Sequence, residues 1–166
     1  MQNKDEQYFL QTYHRHKDMV YRIAYTYVRN PDDAKDILQD VFLKLYNTRK
    51  SFVDDDHLKH WLIRVAINDS KDYVTSTWFR ERNELIESDT YGTVSEFGYN
   101  EILEEVRRLP VKYRAVIYLH YYEEYSYKEI AEILNLRLSA VKMRAKRGRE
   151  MLKLNLTVDS IERSME

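Results

Sequence analysis

Residues 128–153 read KEIAEILNLRLSAVKMRAKRGREMLK, a short apolar pattern followed by a run of positive charge. From Arg137 onward this stretch contains a single acidic residue, Glu150. The whole chain nevertheless has a formal net charge of only −1 at pH 7. A nearly neutral protein therefore concentrates basic side chains in one segment, namely Arg137, Lys142, Arg144, Lys146, Arg147, Arg149 and Lys153.

Local signals divide this segment into two helices joined by a tight turn. Ser126 and Glu129 have the spacing of a capping box, which predicts a helix that begins at Tyr127. Asn135 lies where the chain must turn, and asparagine tolerates the left-handed conformation better than most residues. Small and apolar residues then recur at helical spacing, at Val141, Ala145, Gly148 and Leu152. A glycine costs about 1 kcal/mol inside a helix, so we expect Gly148 to mark close packing. This is the pattern of a helix-turn-helix.

The outward face predicted for the second helix is basic and carries Lys142, Met143, Lys146, Arg147 and Arg149. Such a helix fits the DNA major groove, where its early residues contact bases and its basic residues hold phosphates. The alternative is a solvated basic face on an ordinary surface helix. The capping box, the turn asparagine and the apolar spacing together favour DNA binding.

The N-terminal half also has helical periodicity. Val20, Ile23, Ala24 and Tyr27 fall on one helical face. In the next segment Asn30 is a predicted N-cap, with Pro31 at the first helical position. We predict three or four packed helices up to about residue 80.

Composition changes between residues 81 and 99, where acidic residues dominate and glycine, serine and threonine are frequent. This composition is typical of a flexible linker. The predicted fold is therefore all-α, with two small helical domains at residues 1–80 and 100–154, an acidic linker at 81–99 and a C-terminal tail at 155–166.

Several function classes are disfavoured by the sequence. Zero cysteines exclude disulfides and thiolate metal sites, and they fit a reducing cytoplasm. The polar N-terminus is no signal peptide, and no apolar run reaches membrane-spanning length, so we expect a soluble, cytoplasmic protein without direct membrane insertion. No phosphate-binding glycine loop or nucleophile–base pair is present. We therefore expect no catalytic activity, no cofactor and no small-molecule substrate.

The sequence contains two weak candidates for a metal site. His57 and His60 could share a helix face, but no third histidine and no cysteine accompanies them, so we interpret them as a surface pair. The acids in VDDDH, residues 53–57, could bind a divalent cation, which prefers carboxylate oxygens. A solvated loop is the favoured interpretation, and no metal is expected.

The segment from Leu109 to Lys153 resembles region 4 of the bacterial extracytoplasmic-function (ECF) sigma factors, which are promoter-recognition subunits of RNA polymerase. Independently, VYRIAYTYVRNPDDAKDILQDVFLKLY, residues 20–46, resembles region 2 of the same family, and HLKHWLIRVAINDSKDYV continues it. Both blocks have the order and separation found in the family. Glu124 departs from the pattern, since glycine is common there, and Arg137 replaces the usual capping residue of the recognition helix.

The resemblance implies that the chain binds core RNA polymerase, promoter DNA and an anti-sigma factor. For the upstream (−35) promoter element it implies contacts by Arg137, Ser139, Ala140, Lys142, Met143, Lys146, Arg147 and Arg149. For the polymerase core it implies docking through Asp36, Gln39, Asp40 and Leu43. The same four residues could instead be only the polar face of an amphipathic helix.

Region 2 of the family binds the downstream (−10) element and captures a base of the melted strand. We hypothesise that three acids at the mouth of the loop accept hydrogen bonds from the extruded base, while later residues hold the strand. These residues are Asp54, Asp55, Asp56, Lys59, His60, Arg64, Asn68 and Lys71. Trp61 is expected to be mainly structural.

Two alternative functions remain open at this point. One is a transcription regulator whose helix-turn-helix binds duplex DNA while the N-terminal domain senses a ligand or dimerises. Binding to core polymerase would separate it from a sigma factor. The other is a nucleic-acid enzyme with the three acids as its metal site, which would cleave DNA or RNA only with a divalent metal.

Overall fold

The computed structural model describes residues 2–28, 30–76 and 101–165, and the chain divides into two compact units, within residues 1–99 and 100–166. Every regular element of the described residues is helical, which confirms the predicted all-α class. The predicted acidic linker lies outside the described residues. Unit 1 contains α1 (Gln2–Val28), α2 (Pro31–Asn47) and α3 (Asp55–Thr75). Unit 2 contains α4 (Glu101–Arg108), α5 (Val111–Ile117), α6 (Tyr127–Leu134) and α7 (Leu138–Met165).

Unit 1 is a three-helix bundle in which every helix packs on the other two. The predicted start of α2 is confirmed, because the Asn30 side chain accepts hydrogen bonds from the backbone N–H groups of Asp32 (2.8 Å) and Asp33 (3.3 Å). Helices α2 and α3 are joined by the Tyr73 hydroxyl, which donates to Asp33 Oδ1 at 2.6 Å. The core is formed by the apolar faces of all three helices and includes Val20, Ile23, Ala24, Tyr27, Ile37, Val41, Leu58, Leu62 and Ile63.

Helix α1 begins much earlier than the apolar pattern of residues 20–27 indicates. Its N-terminal part packs aromatic rings against α2, with Phe9 at 5.3 Å from Tyr46 and Tyr13 at 5.0 Å from Phe42 between ring centroids. Edge-to-face ring pairs of this kind stabilise the N-terminal part of α1, which the polar composition of the segment did not predict to be helical. Charged neighbours on the solvent side mask this second apolar stripe in the sequence.

Unit 2 contains the predicted helix-turn-helix. The capping box at α6 is complete, since Glu129 N–H donates to Ser126 Oγ at 3.1 Å and Ser126 N–H donates to Glu129 Oε1 at 3.3 Å. Asn135 adopts the left-handed conformation (φ 53°, ψ 49°), as predicted. Leu136 N–H donates to the Ala131 carbonyl at 2.9 Å, so the turn closes with the hydrogen bond of a Schellman motif.

The predicted close approach at Gly148 is between α7 and α5. A Cβ atom at this position would lie 2.6 Å from Ile117 Cγ1 and 2.8 Å from Ile117 Cδ1. Only glycine allows the two helices to pack this closely. After α5 the chain widens into a π-helical turn, Tyr118–Tyr122, and then reaches Glu124, whose φ of 63° is unusual for a non-glycine residue.

Two segment boundaries differ from the predictions. The acids at 54–56 are not simply a solvated loop, because Asp54 is the N-cap of α3 while Asp55 and Asp56 lie in its first turn. Carboxylates at a helix N-terminus are stabilised by the helix dipole, which accounts for the earlier start. Helix α7 continues to Met165, through the segment that we separated as a C-terminal tail.

Candidate nucleic-acid interface

Four of the predicted DNA-contacting residues form one exposed stripe on α7. Ser139, Lys142, Met143 and Lys146 are all exposed. With about 100° between successive residues, they fall within about 100° of one another around the helix axis. The buried edge of α7, formed by Val141, Ala145 and Gly148, lies on the other side. Ala140 is only partly exposed, and the Arg137 carbonyl accepts from Val141 N–H at 3.1 Å, at the start of the helix.

The other two arginines of the predicted site flank this stripe and have partners within unit 2. Arg149 donates to the hydroxyls of Tyr127 (3.1 Å) and Tyr121 (3.3 Å), and the hydrogen bond to Tyr121 raises the pKa of Arg149. On the other flank, burial favours the neutral form of Tyr113, but hydrogen bonds from Arg147 and Lys112 outweigh it and lower the pKa of Tyr113. Arg149 is therefore held by two tyrosines that sequence reasoning missed.

His120 packs against the two tyrosines that hydrogen-bond to Arg149. His120 Nδ1 lies 2.7 Å from the Tyr125 carbonyl, which fixes this nitrogen as the protonated donor. Its ring centroid is 4.2 Å from that of Tyr127 and 4.8 Å from that of Tyr121. His120 is therefore a partly buried, hydrogen-bonded imidazole.

Helix α3 carries a second exposed stripe with basic character. Arg64, Asn68 and Lys71 are exposed at i, i+4 and i+7, and the half-exposed His60 lies on the same side. Lys59 does not join them, because it lies five positions before Arg64, which rotates it by about 140° around the helix. Trp61 is half-buried, with its ring centroid 5.7 Å from that of Phe52.

Two of the three acids before this stripe are engaged within unit 1. The Asp54 side chain accepts from His57 N–H at 2.8 Å and so caps α3. Asp55 Oδ1 accepts from Arg15 at 3.0 Å and lies 3.2 Å from His16 Nε2. Burial by itself would raise the pKa of the Asp55 carboxyl. The hydrogen bonds and positive charges of His16 and Arg15 outweigh this effect, so the pKa is lowered overall. Asp56 is exposed on the first turn of α3.

The four predicted polymerase contacts share one face of α2. Asp36, Gln39, Asp40 and Leu43 are all exposed, at i, i+3, i+4 and i+7. Asp40 and Leu43 border a groove of about 730 Å³ between α2 and α3, whose far wall includes Trp61 and Asp69. Partial burial raises the pKa of Asp40, and repulsion from the carboxylates of Asp69 and Asp36 raises it further. The positive charge of Lys44 lowers this pKa, but by less than the other effects raise it. Because Leu43 is a large apolar side chain in an acidic surrounding, this face suits a partner with basic and apolar side chains.

Neither of the weak metal candidates forms a cluster. The described residues contain no group of three or more His, Cys, Asp or Glu side chains arranged to hold a metal ion. His57 Nδ1 instead accepts from Val53 N–H at 3.2 Å. Among the helices of the described residues, none has both the length and the apolar character needed to cross a membrane.

A helix-turn-helix with an exposed basic stripe, preceded by a separate helical bundle, defines a DNA-binding protein of two helical units. Comparison with protein families gives two matches along the chain. Residues 12–80 match sigma-70 region 2, and residues 99–152 match sigma-70 region 4. These two ranges contain both stripes and the exposed face of α2.

Similar proteins carry the same assignment. The chain is 30% identical over 161 residues to the ECF RNA polymerase sigma factor SigW of Bacillus subtilis, covering 85% of this chain and 84% of that protein. It is 29% identical over 169 residues to the ECF RNA polymerase sigma-E factor of Escherichia coli strain K12, covering 92% and 88%. The chain belongs to the ECF family of RNA polymerase sigma factors. It is accordingly an alternative sigma factor, which acts with core RNA polymerase and promoter DNA in transcription initiation.

Solved structures agree with this fold. CnrH, in complex with the cytosolic domain of CnrY, matches with a TM-score of 0.68 at 25% identity, covering 93% of this chain and 90% of CnrH. The sigma factor RpoE from Bartonella quintana, in complex with the anti-sigma factor NepR, matches with a TM-score of 0.67 at 24% identity, covering 91% and 98%. The second likeness supports the fold alone.

Proposed function

We propose that the two exposed stripes and the face of α2 divide the work of promoter recognition. The stripe of α7 (Ser139, Lys142, Met143 and Lys146) would enter the major groove at the upstream element. The observation that supports this most directly is the grouping of these side chains opposite the buried edge of α7. Base contacts would come from the early residues, while phosphate contacts would come from the lysines and arginines.

Arg147 and Arg149 would act at the edges of this interface. Both are exposed, and the hydrogen bonds to Tyr121 and Tyr127 fix where the Arg149 guanidinium lies. A pre-positioned guanidinium loses less side-chain entropy when it binds a phosphate. Arg137 and Ala140 would contribute through the first turn of α7, near the backbone of the DNA.

The stripe of α3 would hold the melted strand of the downstream element. Arg64 and Lys71 can neutralise phosphates, and Asn68 between them can donate and accept hydrogen bonds. The partly exposed His60 would extend this surface, whereas Lys59 lies on another side of α3. Of the three acids, Asp56 is the candidate acceptor for an extruded base, whereas Asp54 and Asp55 would have to share their carboxylates with His57 N–H, Arg15 and His16.

Asp36, Gln39, Asp40 and Leu43 would dock on core polymerase. An anti-sigma factor would be a second partner, since the similar sigma factor RpoE has been solved in complex with the anti-sigma factor NepR, and the similar protein CnrH with the cytosolic domain of CnrY. The chain would act in the cytoplasm, where transcription takes place, and without catalytic activity of its own. Both partners would bind the acidic and apolar face of α2, so the anti-sigma factor and core polymerase should compete for the chain.

Run-off transcription tests this function. Purified core polymerase should yield discrete transcripts from genomic fragments only when the chain is added. Fragments that carry the selected promoters should lose their transcripts when the upstream or the downstream element is scrambled. Binding of the free chain to duplex DNA without any effect on core polymerase would favour the two-domain regulator instead.

A further inference from the structure

A groove of about 640 Å³ lies in unit 1, between the N-terminal part of α1, the end of α2 and the chain that follows α2. Its lining includes the half-buried apolar side chains of Phe9, Leu45 and Phe52. Tyr8 and Tyr46 line the same groove and are 58% and 62% exposed. A single exposed apolar side chain is ordinary on a protein surface, but two exposed aromatic rings beside an apolar groove form a patch that marks a binding surface.

The aromatic rings of this groove are supported by their neighbours. The Phe9 ring lies edge-to-face against Tyr46, with centroids 5.3 Å apart. The Phe52 ring contacts His57 and Trp61, with centroids at 5.3 and 5.7 Å. Aromatic side chains that are already held in place lose little conformational entropy on binding, and tyrosine is enriched among the residues that contribute most to protein interfaces. The groove therefore suits a protein partner.

The two walls of the groove carry opposite charges. Asp5 and Glu6 lie on the α1 wall, and Lys50 lies on the wall formed by the chain after α2. All three side chains are exposed. A two-fold axis along the groove brings the α1 wall of one copy against the Lys50 wall of a second copy, and such a self-complementary surface is what a symmetric dimer needs. A partner with one sign of charge would meet repulsion at one of the walls, so charge favours a second copy of this chain.

We infer that the chain self-associates through this groove into a symmetric dimer, and that the dimer withholds the docking face of α2 from core polymerase. Tyr8 and Tyr46 of each copy pack on the apolar lining of the other, while the acids of each α1 wall face the lysine of the other copy. A groove of this size provides an interface at the small end of the known range, so the dimer is weak and reversible.

The position of Tyr46 on α2 explains the competition with core polymerase. Tyr46 lies seven positions after Gln39, so it is about two turns further along the same side of the helix. Leu43 lies between them and is half exposed. A second copy packed on Tyr46 therefore blocks access to the exposed face of α2. This competition rests on the proposed docking of that face on core polymerase.

Sedimentation velocity of the full chain over a series of concentrations tests the dimer. The wild type should shift reversibly from monomer to dimer as its concentration rises. Tyr8→Ala and Tyr46→Ala should each weaken the dimer by about tenfold or more, because each dimer loses two tyrosines from its interface. Leu10→Ala removes an exposed apolar side chain of α1 from outside the groove lining, so this matched control should leave the association unchanged. A wild type that stays monomeric at every concentration, or a dimer that both tyrosine variants leave unaffected, overturns self-association through this groove.

An exchange of charges tests the two-fold arrangement. Lys50→Glu should dissociate the dimer, because the new carboxylate faces Asp5 and Glu6 of the other copy. Asp5→Lys combined with Glu6→Lys should also dissociate it, because the new lysines face Lys50. An equimolar mixture of the two variants should restore a dimer, since opposite charges then meet at both pairs of walls. A mixture that stays monomeric, with helical circular-dichroism spectra for both variants, would contradict the arrangement.

Competition with core polymerase has a separate readout. A chain with an affinity tag should retain an untagged copy on a resin, and purified core polymerase should release that copy. Retention of the untagged copy while core polymerase binds the tagged chain would overturn the competition and leave the dimer intact. A monomeric wild type whose binding to core polymerase is weakened by Tyr46→Ala would assign the groove to the polymerase and overturn the dimer. Absence of any promoter-dependent transcript with the wild type would contradict the proposed function without affecting the sedimentation result.

Discussion

The absence of a Cβ atom at Gly148 allows α7 to pack closely against α5. In Gly148→Ala the new methyl group would meet Ile117 Cγ1 and Cδ1 below 3 Å. Overpacking of this kind costs about 1–3 kcal/mol, and better helix propensity returns about 1 kcal/mol. We expect Gly148→Ala to lower the free energy of unfolding by about 1 kcal/mol in urea titrations. The double variant with Ile117→Ala should lose less than the sum of the single changes, because the cavity accepts the methyl group. Additive losses would place the strain elsewhere.

Glu124 presents the opposite case: a non-glycine residue occupies a backbone conformation that favours glycine. At φ 63° its Cβ atom crowds the backbone, a cost that glycine avoids. Glu124→Gly should therefore raise the free energy of unfolding by about 0.5–1 kcal/mol. Glu124→Ala removes the same charge but keeps the Cβ atom, so it should give no such gain. Equal stabilisation by both variants would assign the effect to charge and not to the backbone.

At the scale of elements, Asp55 ties the start of α3 to α1. Its pKa is lower in the folded protein than in the unfolded chain, so its contribution to stability is present above the ordinary carboxyl range near pH 4 and is lost as the pH falls through the lowered value. Asp55→Asn should be less stable than the wild type at pH 7. The difference should shrink below about pH 4. Chemical unfolding at a series of pH values measures it, and a difference that persists at pH 2 would contradict this linkage.

The positive charge of the stripe on α7 should be needed for transcription from promoters with the upstream element. Lys142→Ala combined with Lys146→Ala should reduce transcription from promoters that need the upstream element at least severalfold, because two phosphate contacts are lost. Binding to core polymerase should be unchanged. The variant Lys142→Arg with Lys146→Arg keeps the charge, so it should retain phosphate-dependent affinity. Wild-type transcription by the alanine variant would move the DNA-binding surface away from this stripe.

At the scale of the whole molecule, charge is distributed so that different surfaces suit different partners. The net charge of −1 combines a basic α7 with an acidic and apolar face on α2. A chain of this charge has little general attraction for nucleic acid, so its DNA affinity must depend on the local basic stripes and on the polymerase.

Association with the polymerase core should depend on the face of α2. Gln39→Ala combined with Asp40→Arg is expected to abolish co-elution with purified core, because a basic side chain replaces an acid at the edge of the acidic groove. Both residues are exposed, so the circular-dichroism spectrum should remain helical. Glu132→Arg makes the same charge reversal on α6, in the other unit, and should co-elute normally. Normal co-elution of the α2 variant would place the docking surface elsewhere.

The sequence by itself determined the local elements of this protein. The capping box at Ser126, the left-handed Asn135 and the Asn30 cap of α2 all depend on residues within about four positions of one another. Their geometry is therefore encoded in short segments, and each was predicted correctly. The two-unit organisation and the family resemblance follow from the order of such segments along the chain.

Tertiary structure alone decided which side chains these elements bring together. Asp55 meets Arg15 and His16 across 40 and 39 positions, and Arg149 meets Tyr127 and Tyr121 across 22 and 28. Sequence spacing carries no information about such pairs, because packing sets the rotation of one helix against another. The same packing left Val53 exposed and paired Asp55 with α1, while Asp54 caps α3.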